Sequence, residues 1–158
     1  MELREGEFDL GKTSEKKKLK SAFLVTQVLL LAWFFLDMIG VYFKDGYLVT
    51  RSYKEDGVFF LIYLSTVVLF IIKDRIGKWA VLIWSALWFI TQFMNHELVT
   101  ITGNNYEGKI RYFEGAIKWL DIEGVYVPDV YHTVLHILIL AVIVTGVIYV
   151  VKNKKRKS

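Results

Sequence analysis

Apolar residues along this chain gather in four long blocks and seldom alternate with charge. The blocks run from about Ser21 to Phe43, Gly57 to Ile72, Lys78 to Asn95 and Pro128 to Val151. Each approaches the roughly 20 residues that carry an α-helix across about 30 Å of hydrocarbon. The pattern predicts an all-α, polytopic membrane protein built as a four-transmembrane-helix bundle. Only Lys73-Asp74-Arg75-Ile76-Gly77 separates the second block from the third, which predicts a tight helical hairpin. Pro128 suits the first turn of the fourth helix, where its missing N–H would have had no intrahelical partner.

The connection between the third and fourth blocks carries a second periodicity. Tyr106, Ile110, Phe113, Ile117 and Leu120 recur at helical spacing opposite Glu107, Arg111, Glu114 and Lys118. This predicts a short amphipathic helix over 105–121, lying along the membrane interface with Tyr112 and Trp119 at headgroup level. Gly103-Asn104-Asn105 before it and Gly124 after it supply the turns.

Composition narrows the class further. The chain is 54% apolar and 16% aromatic with a mean hydropathy of +0.39, more apolar than a soluble domain of 158 residues needs to be. With no cysteine, disulfides, thiolate metal sites and cysteine nucleophiles are excluded. The net charge of +4 does not indicate nucleic acid, because the basic runs Lys16-Lys17-Lys18-Leu19-Lys20 and Lys152-Asn153-Lys154-Lys155-Arg156-Lys157 flank apolar blocks, as membrane-anchoring segments do.

Of the 20 Lys and Arg residues, 14 fall in the N-terminal arm, the loop after the second block and the C-terminal tail. The other two loops are net acidic. The positive-inside rule therefore predicts a cytoplasmic arm at 1–20, a membrane domain at 21–151 and a basic cytoplasmic tail at 152–158. The first block exceeds a signal peptide's apolar region and should stay in the mature protein. Size and topology suit a bacterial inner membrane.

Ionisable residues inside apolar blocks are expensive, and so they are the first candidates for function. Asp37 lies roughly 9 Å inside the outer end of the first block, counted at 1.5 Å per residue. His136 sits at a similar depth in the fourth. Asp129, His132 and His136 share one helical face, while Ser85, Gln92, Asn95 and His96 cluster on one side of the third block, with Glu97 next in the chain. If both stripes face inward, all three histidines of the chain converge.

Three imidazoles suit zinc or a comparable divalent metal, so His96, His132 and His136 are the candidate ligands. Glu97, Asp129 and Asp37 are the candidate catalytic carboxylates, Glu97 or Asp129 moving protons and Asp37 orienting a histidine. The zinc-protease motif is absent, since Thr133 follows His132.

The expected function is a metal-dependent membrane enzyme, a hydrolase or transferase acting on a lipid or lipid-linked substrate at the outer leaflet. Histidine–carboxylate acid–base chemistry without metal is an alternative. In a different class stands a non-enzymatic membrane module. It would be a haem or quinone carrier, or a small subunit of a transporter or regulatory complex, with the His/Asp cluster as a structural polar core. Membrane lipids are the expected partners, and protein partners or self-association fit the apolar exterior.

Overall fold

A computed structural model describes residues 2–103 and 106–154, with side chains over 13–103 and 107–153. Asn104, Asn105, the side chain of Tyr106 and the tail residues Lys155, Arg156 and Lys157, all drawn on above, lie outside the described residues. The chain is 76% helical. In order it runs α1 (Glu2–Ile39), β1 (Val41–Phe43), β2 (Gly46–Val49), α2 (Tyr53–Ile72), α3 (Asp74–Asn95), α4 (Glu97–Thr102), α5 (Tyr106–Tyr112) and α6 (Val130–Lys154). Four segments are long and apolar enough to cross a membrane: Thr13–Ile39, Tyr53–Ile72, Asp74–Thr102 and Val130–Asn153.

Helical periodicity selects one face of each long helix for burial. On α1 these are Phe23, Gln27, Leu30, Phe34 and Asp37; on α2, Tyr63, Val67 and Phe70; on α3, Val81, Ser85 and Trp88; on α6, Leu135, Ile139 and Val142. These faces meet because α1 and α3 each pack against both α2 and α6. The opposite faces are also apolar, with Leu29, Ile83, Leu87, Ile137 and Val144 exposed. An apolar outer surface on all four helices is what a hydrocarbon solvent requires and water penalises.

Two close approaches set the helix spacing. At the turn between α2 and α3, a Cβ on Gly77 would collide with the backbone of Phe70 and Leu69. On α6, a Cβ on Gly146 would fall 2.6 Å from Leu82 Cδ2 of α3 and 2.7 Å from the Phe23 ring of α1. Thr26 and Thr145 hydroxyls join α1 to α6 at 2.9 Å, and Tyr149 donates to Asp74 Oδ2 at 2.7 Å near the α2–α3 turn.

The loops at the opposite end depart from the expected pattern. The first helix stops at Ile39 instead of about Phe43, and Gly40 follows with φ +73°. A two-stranded antiparallel hairpin comes next, pairing Tyr42 with Tyr47 and Phe43 with Gly46 across Lys44-Asp45. The helix expected over 105–121 ends at Tyr112. Gly115 adopts φ +81°, and from there the chain pairs with the hairpin instead of coiling. Tyr47 N donates to Gly115 O at 3.0 Å, Ile117 N to Tyr47 O at 3.0 Å, and Val130 N to Ile117 O at 2.9 Å. Leu120, on the apolar side of the expected helix, is exposed, whereas Phe113 is buried.

Candidate functional site

Three local structures deliver the polar residues to the loop end. The first is the start of α6. Pro128, which has no N–H to donate, lies just before α6 instead of in its first turn and precedes Asp129, whose Oδ1 accepts from His132 N at 3.0 Å, a helix N-cap. The second is the break between α3 and α4, where His96 N still donates to Gln92 O and Thr100 N to His96 O, so the helix continues with a kink that turns His96 and Glu97 inward. The third is the junction of α1 and α2, held by a 2.9 Å bond from Ser52 N to Asp37 O.

Each histidine has its Nδ1 engaged. His132 Nδ1 pairs with Asp129 Oδ2 at 2.7 Å, His136 Nδ1 pairs with Glu97 Oε1, and His96 Nδ1 pairs with the Tyr126 hydroxyl. An ionised carboxylate only accepts, so Asp129 and Glu97 place the ring proton of His132 and His136 on Nδ1 and leave Nε2 with its lone pair. The His136 Nε2 contact to Gln92 is long, 3.5 Å. The rings of His96 and His132 stack at 4.3 Å, and His96 meets His136 edge-on at 5.4 Å. Phe113 covers the group, 5.1 Å from the ring of His132 and 5.6 Å from that of His96.

In the loops, burial and then the negative charges of Asp129 and Glu97 push the Tyr126 hydroxyl above the ordinary tyrosine range. Burial also pulls the Lys109 ammonium below its usual value. Both groups therefore stay uncharged more readily than they would in water.

Beside the histidines lies a cavity of about 340 Å³ between the helix ends and the hairpin. Asp37 and Asp56 line one part of it, and Asp129 and His132 another. Gln92, Asn95, Trp88 and Tyr131 are also in the wall. Tyr131 is 2% exposed, and its hydroxyl has no hydrogen-bond partner among the described residues.

The structure brings His96, Glu97, Asp129, His132 and His136 into one cluster. Asp37 is placed differently from the expectation that it orients a histidine. It is 5% exposed, its backbone carbonyl accepts from Ser52 N and its carboxyl lies beside Asp56 in the cavity wall, while Asp129, Glu97 and Tyr126 orient the three rings. Tyr126 and Asp56 had no periodic signal to mark them. Val125-Tyr126-Val127 precedes a proline outside any helix, and Asp56 stands just before the apolar block that starts at Gly57, whereas α2 begins at Tyr53. Among the described residues, no three His, Asp or Glu side chains are grouped so as to hold a metal ion.

No protein-family model, curated protein or solved structure matches the chain.

Proposed function

We propose that this chain is an enzyme embedded in the membrane as a four-helix bundle, with both termini cytoplasmic, and that it hydrolyses or transfers a group of an amphiphilic substrate at the outer leaflet. The observation that carries this reading is the His132–Asp129 pair at the wall of the cavity. Asp129 is the positioning residue, holding Nδ1–H so that Nε2 can act as a base. His132 takes a proton from water or from an acceptor alcohol as its oxygen attacks an ester or phosphoester centre. The resulting imidazolium returns that proton to the departing oxygen, and the carboxylate of Asp129 stabilises the cation meanwhile.

The acidic loops at this end and the basic segments at the other support the orientation. A lipid or lipid-linked substrate fits because its acyl part can remain among the exposed apolar faces while the polar part enters the cavity.

One observation favours a metal-assisted version. Carboxylates on the Nδ1 atoms of His132 and His136 are the usual orienters of metal-ligating histidines, and Nε2 of each remains for an ion such as zinc. For His96 to join them, its ring must leave the stack with His132.

The test is lipid turnover by purified protein in nanodiscs, followed by mass spectrometry over a phospholipid and polyprenyl-phosphate panel. Turnover lost in His132→Ala and reduced in Asp129→Asn supports the reading. Turnover indifferent to His132, or none in folded protein at any metal supplement, overturns it in favour of a structural polar core. Bound zinc that disappears in the double variant His132→Ala/His136→Ala would support the metal version, and activity unchanged by chelation would refute it.

A further inference from the structure

We infer that the cavity recognises an organic ammonium group, so that the substrate of the proposed enzyme carries a positively charged amine or quaternary ammonium in its polar part. The inference rests on the functional reading above only for the word substrate; the binding itself does not depend on it.

The charge of the walls is the first observation. Asp37, Asp56 and Asp129 all line the cavity, and no lysine or arginine does so among the described residues. Of the nearby cations, Arg51 and Lys54 lie against the ring of Tyr53 at 5.8 and 6.0 Å, and Lys109 lies over Phe113, a wall residue, at 5.8 Å, with burial holding its ammonium below its usual value. Asp129 is compensated by His132, but Asp37 and Asp56 face each other, with Glu55 adding a further negative charge close by. Two carboxyl groups with His132 as their basic neighbour, and no lysine or arginine in the wall among the described residues, repel an anionic ligand and attract a cation.

The second observation is independent of charge. The Tyr131 hydroxyl is buried in this wall and has no hydrogen-bond partner among the described residues. A buried hydroxyl left unmatched costs free energy, and a ligand N–H or a cation beside its oxygen would supply the match.

The third is the nature of the remaining wall. Trp88, Phe34, Phe59 and Tyr47 present aromatic rings to the same space. Aromatic faces attract ammonium ions by their quadrupoles and contribute nothing to coordinating a compact divalent ion, which needs several oxygens at once. The volume of about 340 Å³ exceeds what a bare ion would occupy and suits a headgroup amine with its carbon arm.

The ammonium could belong to a lipid headgroup or to a free amine, and the experiment separates these sources. The full chain is purified in an uncharged maltoside detergent and titrated with tetramethylammonium and with ethanolammonium, binding being read by saturation-transfer NMR. Saturable binding of both is expected, that of ethanolammonium weakened about tenfold or more in Asp37→Asn and in Asp56→Asn, the worth of one charge-assisted hydrogen bond, and that of tetramethylammonium weakened by the lost charge alone. Asp56 is only half-buried, so its variant keeps the test intact if Asp37→Asn fails to fold. Tyr131→Phe should weaken ethanolammonium more than tetramethylammonium, which has no N–H to donate.

Displacement of the probe by nanodiscs containing phosphatidylethanolamine, but not by phosphatidylglycerol nanodiscs, identifies a lipid headgroup as the source. Displacement by neither identifies a free amine, and both results uphold the inference. Folded wild-type protein that binds neither probe overturns it, as does binding unchanged in both Asn variants or magnesium displacing the probe at equal concentration. Ammonium binding without any turnover leaves this inference standing and removes the enzymatic reading. Turnover restricted to lipids without an amine does the reverse.

Discussion

Asp129 makes two separable contributions, and replacing it by Ala and by Asn pulls them apart. Its Oδ1 caps α6 through His132 N at 3.0 Å, and its Oδ2 holds His132 Nδ1 at 2.7 Å, with the carboxylate 2% exposed. Alanine removes both. Loss of the cap costs about 1 kcal/mol, and loss of a charge-assisted bond roughly 1.5–3 kcal/mol, so Asp129→Ala should destabilise by roughly 2–4 kcal/mol. Asparagine keeps an oxygen for the cap and should cost about 1 kcal/mol. Its amide N–H₂, however, faces Nδ1 as a donor. The imidazole must then carry its proton on Nε2, and a base is turned into a donor at the cavity wall. Activity should fall by roughly 10²–10⁴ in Asp129→Asn despite near-normal stability, the usual contribution of a positioned base. Stability is read from detergent-titrated unfolding and the tautomer from ¹⁵N NMR, which has three histidines to resolve. An Asp129→Ala protein within about 0.5 kcal/mol of wild type, or an Asn variant whose His132 keeps its proton on Nδ1, would refute the reasoning.

Tyr126 gives a pH prediction. Its folded pKa lies above the unfolded value of 10.0, so it contributes stability that is intact below pH 10 and is lost as pH rises beyond it. Tyr126→Phe should flatten the decline of stability between pH 10 and 11 by up to about 1.4 kcal/mol per pH unit, the effect of one proton; parallel wild-type and variant curves would count against it. At the helix contacts, Gly77→Ala should destabilise more than Gly146→Ala. The added methyl meets backbone at the first position and the ends of the Leu82 and Phe23 side chains at the second. Overpacking of this kind costs about 1–3 kcal/mol, and the reverse order in an unfolding titration would show that α2 can shift where Leu82 and Phe23 cannot.

The long apolar segments were legible because each contains enough consecutive apolar residues to leave no alternative element. The face shared by Asp129, His132 and His136 was equally legible, since spacings of three, four and seven follow from helix geometry alone. The hairpin carried a signal too, the polar turn Lys44-Asp45 followed by Gly46 between Val41-Tyr42-Phe43 and Tyr47-Leu48-Val49, yet the apolar run through Phe43 reads as a continuing span when hydropathy is the only guide. The amphipathic period past Tyr112 misled for a related reason: it persists through Gly115, but pairing with Tyr47 offers the backbone a better set of hydrogen bonds than another turn of helix. The neighbours Asp37 and Asp56, and Tyr126 beside His96, depend on how separate helices and loops come together, which no local pattern encodes.

The relay of backbone bonds from Tyr47 to Ile117 and from Ile117 to Val130 separates insertion from assembly. The long helices are apolar enough to cross a membrane whatever the loops do, but the cavity needs a hairpin after the first and a strand-like segment before the last to dock on each other. A Cβ on Gly46 would fall 2.6 Å from Gly115 O, at the centre of that docking. A chain altered there would keep its four long apolar helices while lacking the cavity. The amount of helical chain present is therefore no measure of how much of it carries the proposed site.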